Sequence, residues 1–269
     1  MQSKLLIILL FFTQMTYSQS SIKLFHIRHA TSIIEINNKK ILIDPMLSAK
    51  DSLPSVGLAD NKLKNPRTDL PFSADSIVKN IDYLLLTHLH FDHFDSKAIQ
   101  ILSKQTPVLC SKPDVKKLTN LQFSTIYTID NEFETDSIRL TQFPATHGKG
   151  LLKYMMGKGS SYLIEYKGFK IFLTGDCLLT DSLKNILTKT KPDIIIANAG
   201  AAKFKFGKPI TMSLKDIQEI SKILPNSKLF VVHLDALNHC SESRKYCQEQ
   251  IAEYPNIYLP ADGEEIIIK

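Results

Sequence analysis

Residues Leu84 to Asp95 read LLLTHLHFDHFD, and they constrain the fold more than any other stretch of the chain. The leucine run reads as a buried strand, and His88, His90, Asp92 and His93 crowd into the six positions that follow its end. In sheets flanked by helices, ligands gather outside the carboxyl ends of strands. Three further polar groups close apolar runs in the same way: His147 in LTQFPATH, Asp176 in IFLTGD and His233 in LFVVH. Five of the eight histidines fall in these clusters, which implies that four strand ends converge on one spot. Side chains two apart in an extended segment point the same way, so His88 and His90 share one target. A turn into a helix starting near Asp95 aims Asp92 and His93 at a second. Imidazoles with a carboxylate suit zinc, with manganese or iron as alternatives. Catalytic metal pairs lie about 3.5–4 Å apart and keep a position open for water. Taken singly, His147 or His233 reads equally well as an ordinary surface or core histidine. Solvated charge does not explain the density of His-x-His-x-Asp-His.

The surrounding pattern is strands with helices. The chain opens with IKLFHIRHATSIIEINNKKILIDP, short strands with Asn37-Asn38-Lys39-Lys40 as a hairpin turn. Residues Met46 to Phe72 hold three prolines and no period, and read as a long surface excursion. Strands and helices then alternate: IDYLLLTH, DSKAIQILSKQ, PVLCS, DVKKLTNL. Hairpins follow in FETDSIRLTQFPATH and in SSYLIEYKGFKIFLTGD, the latter turning at Lys167-Gly168. Alternation returns through PDIIIANAG, SLKDIQEISKIL, KLFVVHLD and a helix over SESRKYCQEQIAEY, and EEIIIK closes the chain. Sheets flanked by helices in one domain of α/β class are expected, covering residues 19–269.

The first residues, MQSKLLIILLFFTQMTYSQS, have a lysine, a short apolar run and a small-x-small site, so residues 1–18 read as a signal peptide. The run is far short of the roughly 20 residues that span a bilayer. A periplasmic or secreted protein with no stable membrane span after cleavage is expected. The net charge is +6, but the lysines are scattered rather than blocked, so no nucleic-acid arm is indicated. Cys240 and Cys247 fall in the expected last helix, about 10.5 Å apart along its axis, too far for a disulfide. Cys110 reads as core. The sequence leaves the oligomeric state open.

THLHFDH resembles the His-x-His-x-Asp-His signature of the metallo-β-lactamase superfamily, and PATHG, TGD and VVH follow in that family's order. The opening HIRHATSIIEINNKKILIDPML looks like the start of a branch that includes ascorbate-6-phosphate lactonase and, more distantly, N-acyl phosphatidylethanolamine phospholipase D. The resemblance spans Ile22 to Lys269 and implies a four-layer αβ/βα sandwich. It implies that His88, His90 and His147 bind one metal, that Asp92, His93 and His233 bind the other, and that Asp176 bridges them. Asp92, Asp176 and His29 are the implied catalytic groups: Asp176 helps hold a hydroxide, Asp92 orients it and takes its proton, and His29 is a substrate or supporting group. Arg28 replaces the glycine usual before His29, and Cys177 a common threonine. The branch favours lactones, phosphodiesters and phosphorylated small molecules, so the expected substrate is a lactone, ester or phosphodiester of a small anionic molecule, and Lys149, Lys153 and Lys158 offer an anionic group a landing place or form a solvated loop. β-Lactam and nucleic-acid substrates fit less well. The competing expectation is an exported metal-binding or scaffold protein without turnover. Asp235 reads as a supporting partner for a ligand or as a helix cap, and His239 has no assigned role.

Overall fold

The computed structural model describes residues 21–269. The expected signal peptide, residues 1–18, lies outside them. Six strands in chain order build the first sheet: β1 Ile22–Arg28, β2 Thr31–Ile36, β3 Lys39–Ile43, β4 Tyr83–Leu85, β5 Val108–Cys110 and β6 Ile126–Thr128. Seven build the second: β7 Glu132–Thr135, β8 Ile138–Ala145, β9 Gly159–Tyr166, β10 Phe169–Leu173, β11 Ile194–Asn198, β12 Lys228–Val232 and β13 Ile257–Tyr258. The last strand, β14 Glu264–Ile267, returns to pair with β1, so each sheet has seven strands.

Period-two alternation sorts side chains between layers. Ile41 and Ile43 of β3, Leu85 of β4, Ile171 and Leu173 of β10, Ile194 and Ile196 of β11, and Phe230 and Val232 of β12 meet in one core between the sheets. Their neighbours Phe172, Ile195, Ala197, Leu229 and Val231 face outward. They are covered by α5 Asp181–Thr190, α6 Leu214–Ile223 and α7 Arg244–Glu249, which the chain adds after four earlier helices. Three of these, α1 Ala74–Ile77, α2 Ser96–Ile101 and α3 Val115–Asn120, cover Leu42, Leu84 and Val108 on the other outer face. The fourth, α4 Leu151–Met156, lies outside the layers' cores. The four-layer sandwich is the expected one.

Two hairpins turn on pairs of residues with positive φ, Asn37-Asn38 (53° and 61°) and Lys167-Gly168 (48° and 78°). This is the backbone that matches the twist of the flanking strands. The first turn is two residues long, shorter than expected, because Lys39 and Lys40 already pair in β3. Two other expectations need correction. The last helix covers only Arg244–Glu249, capped by Ser243, so Cys240 lies outside it; both cysteines are nonetheless free. The excursion from Met46 to Phe72 is also tied into the protein. Arg28, fully buried, donates to the carbonyls of Thr68, Met46 and Ser48 at 2.8–3.0 Å. Asn65 is fully buried and bonded to Asn238 at 2.8 and 3.0 Å.

Candidate metal centre

The strand ends converge as expected. After β4 the chain leaves the sheet carrying His88 and His90, then turns tightly, with the amides of His93 and Phe94 donating to the carbonyl of His90 at 3.0 and 2.9 Å. Asp95 ends the turn by capping α2, accepting from the Ala98 amide at 2.8 Å, and also accepts from the Ser48 amide at 2.7 Å. That fixes the face which Asp92 and His93 present. His147 follows β8, Asp176 follows β10 and His233 follows β12. Gly175 lets the chain turn into Asp176: its φ is +57°, and a Cβ there would lie 2.6 Å from the Ser160 carbonyl oxygen. His29 and His233 also hold positive φ, 59° and 68°, and the His233 amide donates to the His29 carbonyl at 2.9 Å. Strained backbone of this kind clusters at functional sites.

Three imidazoles are tethered through the nitrogen that faces away from the centre. His93 Nδ1 donates to Asp44 Oδ2 at 2.8 Å, His147 Nδ1 to the Ile210 carbonyl at 2.9 Å, and His233 Nδ1 to the Ala199 carbonyl at 3.3 Å. Each Nε2 is thereby left to face inward, where loss of its proton frees a lone pair, the arrangement that orients metal-ligating histidines. The Nε2 atoms of His93 and His233 are buried without a hydrogen-bond partner. His88 Nε2 and His90 Nδ1 face each other at 2.9 Å. Asp176 lies between the groups, 3.3 Å from His93 Nε2, 3.3 Å from His233 Nε2 and 3.8 Å from His147 Nε2. Asp92 Oδ2 lies 3.6 Å from His233 Nε2 and 3.7 Å from His93 Nε2. Ligands about 2.1 Å from a tetrahedral ion are about 3.4 Å from one another, so these spacings suit donors around a cation.

Three donor groups could hold an ion: His88 with His90 and His147; Asp92 with His93, His233 and His29; and His88 with His93 and Asp176. The first two keep the two expected ligand sets apart in space, and the third sets Asp176 beside one histidine of each. His29 is the addition. It is fully buried, with Nε2 3.4 Å from Asp92 Oδ2 and its ring 3.7 Å from that of His233. Burial, then the neighbouring His233, pushes its pKa down to about 3, so the ring is neutral. Burial alone would raise the carboxyls of Asp92 and Asp176, but His93 and His233 outweigh it and hold both well below the ordinary range. Burial likewise disfavours charge on His93, yet Asp176, Asp92 and Asp44 raise it to about 10.

A small cavity of about 180 Å³ opens on this cluster, lined by His90, Asp92, His147 and Asp176 and by Val56, Phe91, Met156, Phe204, Ile210 and His239. His239 presents its ring to Phe204, and its buried Nδ1 has no partner. Lys153 and Lys158 line a separate groove of about 720 Å³ with Lys112 and Gln142, and Lys149 is exposed. Asp235 accepts from the Arg244 amide at 3.0 Å, which makes it a cap of α7. Cys177 packs into the outer core. Sequence reasoning missed Asp44, which also accepts from the Thr87 amide at 2.8 Å, and Asn198, which donates to Asp176 Oδ1 at 2.8 Å. Both close apolar runs, ILID and IIIAN, the signal that marked the other groups.

Residues 39–234 match the beta-lactamase superfamily domain. The UPF0173 protein YddR of Bacillus subtilis is 31% identical over 247 residues, covering 88% of this chain and 96% of its own. A UPF0173 metal-dependent hydrolase of Thermococcus onnurineus is 25% identical over 90% of this chain and 98% of its own. Two solved structures are similar throughout. A possible metal-dependent hydrolase of Veillonella parvula has TM-score 0.88 and 30% identity, covering 92% of this chain and all of its own. An isothiocyanate hydrolase from Delia radicum gut bacteria has TM-score 0.87 and 27% identity, covering 91% and 98%.

Proposed function

The chain belongs to the beta-lactamase superfamily, and from that membership and the geometry of its centre we propose that it is a metal-dependent hydrolase. The observation that carries this reading is the set of inward-facing imidazole nitrogens tethered from behind, of which those of His93 and His233 are buried without partners. His88, His90 and His147 would hold one divalent ion, Asp92, His93 and His233 a second, and Asp176 both. Zinc suits this mixed donor set, with manganese or iron as alternatives. Such ions supply Lewis acidity and a water acidic enough to attack at neutral pH.

The chain's own residues do the rest. Asp92, ionised and at the cavity wall, orients the attacking water and accepts its proton. Asn198 fixes one oxygen of Asp176, and Asp44 fixes the ring of His93. His29 lies beneath the cavity against Asp92, so it positions that carboxylate and does not meet the substrate. His239 faces the cavity and is the polar side chain placed to contact a substrate's leaving group.

Lactones, esters and phosphodiesters of small molecules are the candidate substrates. The cavity is small, its outer wall is apolar, and Lys153 and Lys158 line a different groove, which favours attack at carbon in a compact, weakly charged ester or lactone. A second reading rests on the same lining: an isothiocyanate is compact, uncharged and electrophilic at carbon, and one similar structure is an isothiocyanate hydrolase. Residues 1–18 acting as a signal peptide would place this chemistry in the periplasm or outside the cell. The test is turnover of a lactone, an ester, a phosphodiester and an isothiocyanate by protein loaded separately with zinc and manganese. Turnover that collapses in Asp176→Asn is expected. Metal uptake without turnover across that panel would support the non-catalytic alternative.

A further inference from the structure

The loops that frame the cavity expose large apolar side chains. Leu58 is 73% exposed, Leu151 76%, Tyr154 83%, Met155 55% and Phe206 83%. They come from three adjoining segments. The Lys205 amide donates to the Leu58 carbonyl at 2.7 Å, and a Cβ on Gly207 would lie 3.6 Å from Leu152. The same segments send Val56, Met156 and Phe204 into the cavity wall, so the exposed tips stand on the loops beside its mouth, and Lys153, Tyr154 and Lys158 also line the neighbouring groove.

Two of the three segments carry charge of one sign, and the third sets Asp60 against Lys62 and Lys64. HGKGLLKYMMGKG, residues 147–159, carries Lys149, Lys153 and Lys158, and AAKFKFGKPI, residues 201–210, carries Lys203, Lys205 and Lys208; neither contains an Asp or Glu. These lysines match in number the whole formal excess of +6, so the remainder of the chain balances to zero. Apolar tips interleaved with a net excess of cations suit the boundary between lipid headgroups and acyl chains, where apolar burial and attraction to anionic lipids act together.

We propose that this rim docks the protein on an anionic lipid surface, with the mouth of the metal centre facing the bilayer. This is docking on a surface: among the described residues no helix is long and apolar enough to cross a membrane. A second copy fits the rim less well, because a symmetric contact sets its lysines against their own images. Nucleic acid also fits less well, because only Tyr154 and Phe206 of the five named tips offer a ring on which a base can stack, while Leu58, Leu151 and Met155 offer none. The proposal concerns a surface and does not depend on the substrate or on turnover.

The test is flotation of the full chain with vesicles of phosphatidylcholine alone and of phosphatidylcholine with phosphatidylglycerol. Two double variants accompany it, L151S/F206S and K153E/K205E, each checked for unchanged metal uptake. Binding at least about tenfold tighter to the anionic vesicles is expected, weakened by salt and by about tenfold in each double variant. Equal binding to both vesicles, or variants that float as well as the parent, would overturn the proposal, the latter by assigning membrane contact elsewhere in the chain. So would tighter binding to an RNA homopolymer, or a dimer in solution that the apolar double variant dissociates.

Discussion

Asp44 shows how much of the centre depends on groups that never face the cavity. Its carboxylate accepts a hydrogen bond from His93 Nδ1 and is itself held by Thr87, and burial at 1% exposure leaves it no water to exchange these bonds with. Loss of such a partner costs a metal site about 10–100-fold in affinity. Asp44→Ala is therefore expected to weaken divalent-ion binding by that factor in calorimetric titration while the chain stays folded; affinity equal to that of the parent would remove Asp44 from the centre. Groups that face the metal positions were legible because a histidine or aspartate ending an apolar run is conspicuous. Asp44 ends such a run too, but it is a lone carboxylate just before Pro45 and reads as a turn. His239 was not legible at all, because its place at the cavity depends on how the loop after β12 folds back beside Phe204.

The elements were legible in proportion to their regularity. Period-two alternation identifies β3, β4 and β10 to β12, and it sorts Ile196 to the central core and Ala197 to the outer one. The segment from Met46 to Phe72 has no period because long-range polar bonds hold it in place of a repeating face. Arg28 is the anchor. It carries a buried charge whose pKa falls to about 10, chiefly through burial, and it supplies donors to three carbonyls of that segment. Arg28→Met would fill similar space and leave those carbonyls without a donor, at about 1–3 kcal/mol for each one that stays buried. The expected outcome is a lower urea midpoint, with hydrogen exchange accelerated first in residues 46–68. Unchanged exchange there would mean that the segment is held without Arg28, by the bonds of Asn65 with Asn238, of Ser48 with Asp95 and of Arg67 with Ala236. α7 was read too long for a related reason: Asp235 and Ser243 set its start by hydrogen bonds that no hydrophobic period announces.

Folding brings four strand ends and their carboxylates into one buried volume, and metal-free protein must balance that charge with protons. His93 is raised from 6.5 to about 10, so its proton contributes stability that is complete below about pH 6.5 and is lost as pH rises toward about 10. Asp92 and Asp176 are depressed, so their contribution is present at neutral pH and is lost on acidification. Bound ions replace the protons on the imidazoles and remove the alkaline dependence. The gap in melting temperature between metal-loaded and metal-free protein is therefore expected to widen from pH 6.5 to 9, and a constant gap would contradict this balance. The most direct test of the whole account is metal content after equilibrium dialysis, measured by mass spectrometry on the parent and on His233→Ala. The prediction is about two divalent ions per chain in the parent and about one in the variant. A parent chain that retains no divalent ion, or a variant that retains as many as the parent, would contradict it.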